Sequence, residues 1–238
     1  MSIRDMVLAN GMNWHVPWYD RFPILSNATV PMLTDKEDAI QWKDNDGYIR
    51  EFAVRWVWEY VRSKAPEVPW APVIWYTNNI PKHAFVMWLL MGEKLKTQDK
   101  LKQWEVTNNT PLVCSLCEQV PDSHDHLFFA CPFSMQVWNR VKVHMEFPIF
   151  SDSWRDFILL VSPFAKRRIA RIIVVKLLLA ATVYSLWQER NNRLFKKKKR
   201  SVDQVYKATY ATVRLKIMSI KWKTNPQTLR LKSDWKIS

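Results

Sequence analysis

Glycine is scarce in this chain: Gly11, Gly47 and Gly92 are the only three in 238 residues. A loop that cradles phosphate with its backbone needs glycine at several close positions, and these three are scattered. Two adjacent aspartates, which a polymerase uses to hold its catalytic metal ions, occur nowhere. No G-x-S-x-G elbow supports a serine nucleophile. Met1 to Asn13 lacks the apolar run of a secretory signal, so nucleus or cytoplasm is the expected location. The longest apolar stretch, 169–187, is interrupted by Arg171 and Lys176. Each would cost about 2.5–3.5 kcal/mol at a bilayer centre, so a buried helix is expected there and no membrane partner. Cysteine is limited to three residues, an odd number that suits a metal site in a reducing compartment better than a disulfide framework.

What is present is apolar bulk and positive charge. Hydrophobic residues make up 48% of the chain and tryptophan alone contributes 14, which is incompatible with a disordered tail. The formal net charge is +14, unevenly spread. Residues 163–238 hold 20 Lys and Arg against 3 Asp and Glu, whereas residues 1–162 hold 16 against 19. The C-terminal third is thus a separate electrostatic object whose natural partner is a phosphate backbone or an acidic membrane surface.

The three cysteines lie within eighteen residues as Cys114-x2-Cys117, followed by His126 and Cys131. Structural zinc takes a closed tetrahedron of thiolate and imidazole, and Cys-x2-Cys is the half one tight turn can supply. The intervening loop, 118–125, is polar and carries Pro121, as a turn should. Buried cysteines acting as small hydrophobes are the plain alternative, and the clustering argues against it. His124 is a rival ligand, but the apolar run Leu127-Phe128-Phe129 would anchor His126 against a core. A metallohydrolase reading of Asp122-Ser-His-Asp-His126 needs further ligands and an open coordination position. His15, His83 and His144 stand in no supporting motif, and His83 is expected at the surface.

Five segments occur in order: Ile80-Pro-Lys-His-Ala-Phe-Val-Met-Trp-Leu-Leu90, Leu95-Lys-Thr-Gln-Asp-Lys-Leu101, Cys114-x2-Cys117, Asp125-His-Leu-Phe-Phe-x-Cys131 and Phe133-Ser-x-x-Val-Trp138. Together they resemble the reverse-transcriptase zinc-binding domain of plant LINE-type (non-LTR) retrotransposons, over about Asp38 to Trp138. The resemblance implies Cys114, Cys117, His126 and Cys131 as ligands of one structural Zn2+. A weaker similarity continues through the run from Ala180 to Phe195, typical of the region C-terminal to the domain in such elements.

The expected fold is mainly α, in three regions. Residues 1–37 are an irregular connecting segment with Pro17, Pro23 and Pro31. Residues 38–145 are the zinc-binding domain. A β-hairpin around Asp44-Asn-Asp-Gly47 leads to a helix over 53–63. A helical hairpin comes next: its first helix starts at Pro81 and buries Phe85, Trp88 and Leu89, and Thr97 caps its second, through Leu101 to Trp104. Pro132 opens a further helix with Val137, Trp138 and Val141 on one side. Residues 146–238 are a basic helical region with a short helix at 154–161 and the long one from 169 to Phe195. The Lys196-Lys-Lys-Lys-Arg200 run is the next segment, and Ser201-x-x-Gln204 then caps a last helix. That helix has Val205, Thr209, Val213 and Ile217 as its core face and Lys207, Arg214 and Lys221 on another.

The function expected is therefore non-catalytic: a zinc-held module of a retrotransposon polyprotein. It would contact RNA or DNA independently of sequence through Lys196, Lys197, Lys198, Lys199, Arg200, Lys207, Arg214 and Lys221. The element's own polymerase domain is the other expected partner, and no small-molecule substrate is expected. The competing class is a protein-interaction scaffold, or a relic fragment without independent activity.

Overall fold

Prolines mark where helices begin. Pro17, Pro72, Pro81, Pro132 and Pro226 each occupy the first turn of a helix, where a missing N–H leaves nothing unpaired and φ is already helical. The computed structural model describes residues 7–8, 11–27, 40–44, 46–63, 66–102, 113–145, 158–159, 161–167 and 169–237. They belong to two compact units, Met1–Ala65 and Pro66–Ser238.

In the first unit, strands β1 (Val7–Leu8) and β2 (Gly11–Met12) pair antiparallel, and α1 spans Val16–Arg21. The segment expected to be irregular therefore carries short elements, because Pro17 starts a helix as readily as it breaks one. Strands β3 (Gln41–Lys43) and β4 (Ile49–Glu51) form the expected hairpin. Asp44 closes it: Oδ1 accepts the N–H groups of Asp46 and Tyr48 at 3.1 and 2.8 Å, and Oδ2 accepts Arg50 Nε at 3.1 Å and the Tyr60 hydroxyl at 3.3 Å. Burial alone would raise the Asp44 pKa, but these donors outweigh it and hold it below the usual carboxylate range. Gly47 supplies the positive φ of 87° at the turn. Helix α2 spans Val54–Val61.

The second unit is helical and wraps one central rod. After α3 (Ala71–Ile74), α4 (Pro81–Met91) and α5 (Gln98–Lys102), the metal-site segment leads into α6 (Pro132–Lys142). The rod, α7, runs Ala170–Lys196, and α8 (Val202–Met218) and α9 (Pro226–Asp234) return along it. Helices α3, α4, α6, α8 and α9 all pack on α7. Its residues 172–183 are buried without interruption; a helix enclosed on all sides needs no polar stripe. Among the described residues it is the one helix long and apolar enough to cross a membrane, and most of that stretch lies inside the core.

Ser201 and Gln204 form the reciprocal cap of α8, and Val205, Thr209, Val213 and Ile217 are its buried face, as the four-residue spacing predicts. In α4 the spacing misleads. His83, Ala84, Val86, Met87 and Leu90 are buried, whereas Phe85 is half exposed and Trp88 and Leu89 are partly buried. That helix is apolar nearly all round, so periodicity gives no reliable phase. His83 is not at the surface: its ring stacks on Tyr184 at 4.3 Å. Burial, with Lys82 beside it, lowers the His83 pKa to about 4. The expected helix at 154–161 and the end of α5 beyond Lys102 lie largely outside the described residues.

Candidate metal centre

The Cys-x2-Cys half of the site sits on a tight turn. Cys114 N–H donates to Val120 O at 2.7 Å, Glu118 N–H to Cys114 O at 2.8 Å, and Val113 bridges Pro121 to close the loop. Glu118 takes the left-handed conformation, φ 60°, which reverses the chain immediately after Cys117. The second half uses a wider turn. His126–Ala130 is one π-helical turn in which Cys131 N–H donates to His126 O at 2.7 Å. An i→i+5 turn brings residues five apart back to one side, so His-x4-Cys delivers both side chains to the same point.

These turns place one donor atom from each of Cys114, Cys117, His126 and Cys131 within 4.8 Å of one another. Cys114 and Cys131 Sγ are 4.0 Å apart, and Cys117 Sγ is 3.2 Å from His126 Nε2. A tetrahedral zinc with sulfur at about 2.3 Å sets its sulfurs roughly 3.8 Å apart, so three thiols and an imidazole at these separations fit the ion. His124 points elsewhere: its Nε2 lies 3.2 Å from Leu95 O, it is buried, and burial lowers its pKa.

The surroundings favour a thiolate at Cys131. Cys131 precedes the first turn of α6, and its pKa is held well below that of an ordinary thiol. The hydrogen bond from the Cys114 thiol is the main cause, and the Ser134 and Phe133 N–H groups and the nearby His126 add to it. The same sharing of one proton pushes the Cys114 thiol up, against the N–H groups of Cys117 and Leu116. Amides aimed at both sulfurs are the donors that an anionic metal ligand needs.

Helix α7 locks the centre from behind with residues that sequence reasoning did not single out. Arg190 Nη2 and Nε reach Asp122 Oδ2 at 2.6 and 3.2 Å, and that oxygen also accepts Gln98 N–H at 3.0 Å. Asp122 therefore caps α5 from 24 residues away. Thr97, the expected cap, keeps a buried hydroxyl without a hydrogen bond. Arg193 donates to Leu116 O at 2.9 Å and Arg200 O at 2.8 Å, and pairs with Glu189 at 2.7 Å. Its guanidinium lies 4.4 Å from the Phe133 ring. The one signal available in sequence was the Glu189–Arg193 pair at i, i+4 in the polar C-terminal part of the helix.

The expected nucleic-acid residues divide. Lys196, Lys197, Lys198 and Lys199 are exposed, with Lys197 in the left-handed conformation that ends α7. Lys199 pairs with Glu118, holding that carboxyl low. Arg200 does not face solvent freely, because its Nε and N–H both bind the buried Glu189, at 2.7 and 2.8 Å. Lys207 pairs with Asp203 at 2.7 Å. Arg214 clasps the Trp235 and Lys236 carbonyls at 3.0 and 2.6 Å. Lys221 lies beyond Met218, where α8 ends, so Lys207, Arg214 and Lys221 do not form one helical row.

No curated protein and no solved structure matches the chain. A family model does, over residues 52–138, and its description is zinc-binding in reverse transcriptase. That family is an accessory domain distinct from the catalytic one, and the match contains all four clustered donors. Over residues 52–138 the chain thus carries a reverse-transcriptase zinc-binding domain, with one Cys/His cluster able to hold a single metal ion.

Proposed function

We propose that the chain is a non-catalytic module of a LINE-type retrotransposon polyprotein, of plant type, in which one zinc ion holds the fold and the basic region contacts nucleic acid. Convergence of Cys114, Cys117, His126 and Cys131 within 4.8 Å, inside the matched domain, carries this reading. The ion would be bound by those four residues and would cross-link two turns, supplying stability rather than chemistry. Its partners would be RNA or DNA, held by phosphate contacts without sequence preference, and the element's polymerase domain. Nucleus or cytoplasm is the compartment that fits.

Elemental analysis of the chain purified under reducing conditions tests the metal: one zinc per chain is expected, and none would overturn the assignment. Polymerase, nuclease and protease assays should stay at background. Primer extension abolished by changing a single carboxylate would contradict that.

A second reading, a protein-interaction scaffold or relic fragment, draws support from Arg200 and Arg214, which serve intramolecular contacts. Salt titration separates the two, since phosphate binding weakens by roughly 0.7–0.9 log units per contact for each tenfold rise in salt. A scaffold shows no nucleic-acid binding to titrate.

A further inference from the structure

Within the second unit a cleft of about 720 Å³ opens between the segment at 71–78, the start of α7 and the 220–228 segment. Its charge is nearly all of one sign. Lys166, Arg167, Lys176, Lys221 and Lys223 line it against a single carboxylate, Glu67. Glu67 is exposed and stands 3.7 Å from Lys166, also exposed, a pair that water screens to little effect.

Lys176 is the unusual member. It is 2% exposed, yet among the described residues no carboxylate pairs with it. Its ammonium donates to Ala165 O at 3.0 Å and Pro72 O at 3.3 Å, and lies 3.8 Å from the centre of the Tyr76 ring. Those contacts satisfy the N–H groups without cancelling the charge. Burial lowers its pKa to about 8, which leaves it mostly protonated near neutrality. A cation in low dielectric projects its field along the cleft. Aromatic rings line the same space: Trp75, which is 47% exposed, Tyr76 and the partly buried Trp222. The Tyr76 hydroxyl is buried there without a hydrogen-bond partner.

Cations beside stacking rings are the equipment of single-strand binding: the groove tracks phosphates, and the rings take any base by its face. A cleft of this size encloses a ligand of a few hundred daltons, roughly one or two nucleotides, and cannot admit a duplex. We propose that this cleft holds a segment of single-stranded nucleic acid, with phosphate against Lys221 and Lys223 and a base against Trp75. The inference rests on the nucleic-acid reading above and moves the principal contact away from the 196–200 run.

Fluorescence anisotropy with the zinc-loaded full chain tests it, using oligouridylate of about ten nucleotides and a blunt duplex of the same length. The single strand should bind more tightly than the duplex. Trp75→Ala should weaken single-strand binding about tenfold. K221Q combined with K223Q should make the salt slope shallower by about 1.4. Lys221 and Lys223 are exposed and Trp75 is about half-exposed, and an unchanged thermal melt confirms that each variant folds. Single-strand binding with affinity and slope unaltered in both variants overturns the cleft while leaving the broader reading intact. No binding by the unmodified chain at about 50 mM salt removes both.

Discussion

Arg190 and Asp122 form an ion pair of 2.6 Å with side chains 1% and 0% exposed, across 68 residues of sequence. The pair joins the central helix to the loop between the two halves of the metal centre. The same Asp122 oxygen caps α5, so one carboxylate registers three elements.

Breaking that pair leaves a buried charge without a counterpart. Asp122→Asn should cost about 3–5 kcal/mol of stability, measured by denaturant unfolding of the zinc-loaded chain. Replacing both partners with apolar residues of similar volume should cost less, since no stranded charge remains. A loss below about 1 kcal/mol for Asp122→Asn would mean that the pair is solvated.

Removing one thiolate tests the metal. Structural zinc in small domains contributes about 10–16 kcal/mol, comparable to a domain's whole stability. Cys117→Ser should abolish stoichiometric zinc and expose amides at 113–131 to hydrogen exchange. The amides of α7 should keep more protection, because 172–183 are buried by four neighbouring helices as well as α6. Retention of full zinc occupancy would exclude Cys117 as a ligand.

His83 predicts an acid limb in stability. Its folded pKa is about 4 against an ordinary value of 6.5, so between those pH values the unfolded chain binds a proton that the native chain does not. Stability therefore rises with pH through that window and falls as pH drops towards 4. The span corresponds to on the order of 3 kcal/mol. His83→Phe should flatten that part of the curve in urea melts taken at successive pH values. A mutant and parent with identical acid limbs would show that His83 is protonated without penalty.

The basic run should divide by function. Arg200→Gln should destabilise the fold, because it strips the buried Glu189 of one of its two guanidinium partners. Lys197→Gln with Lys198→Gln should leave the melting temperature unchanged, since both side chains are exposed. If the run contacts phosphate, this double change lowers affinity for all sequences together and reduces the salt slope, by about 1.4 for single strands and 1.8 for duplex. Equal melting temperatures for Arg200→Gln and the parent chain would refute the structural role of Arg200.

Local patterns decided a good part of this protein. The Cys-x2-Cys turn, the helices started by Pro81 and Pro132, the Asp44–Gly47 hairpin and the Ser201–Gln204 cap depend on contacts within a few residues, so residue type and spacing suffice to find them. The buried face of α8 was legible because Val205, Thr209, Val213 and Ile217 recur every four residues. Tertiary structure decided what no window of sequence contains. Helix α4 is too uniformly apolar to reveal which side is buried, and only its neighbours select His83 over Phe85. Asp122 displaces Thr97 as a cap because Arg190, far along the chain, fixes its carboxylate in place. Lys176 reads as a break in an apolar run, and becomes a buried cation only when 72, 76 and 165 close around it. Charge is counted in the sequence, but whether a given cation meets solvent, a carboxylate or a carbonyl is set by the packing that surrounds it.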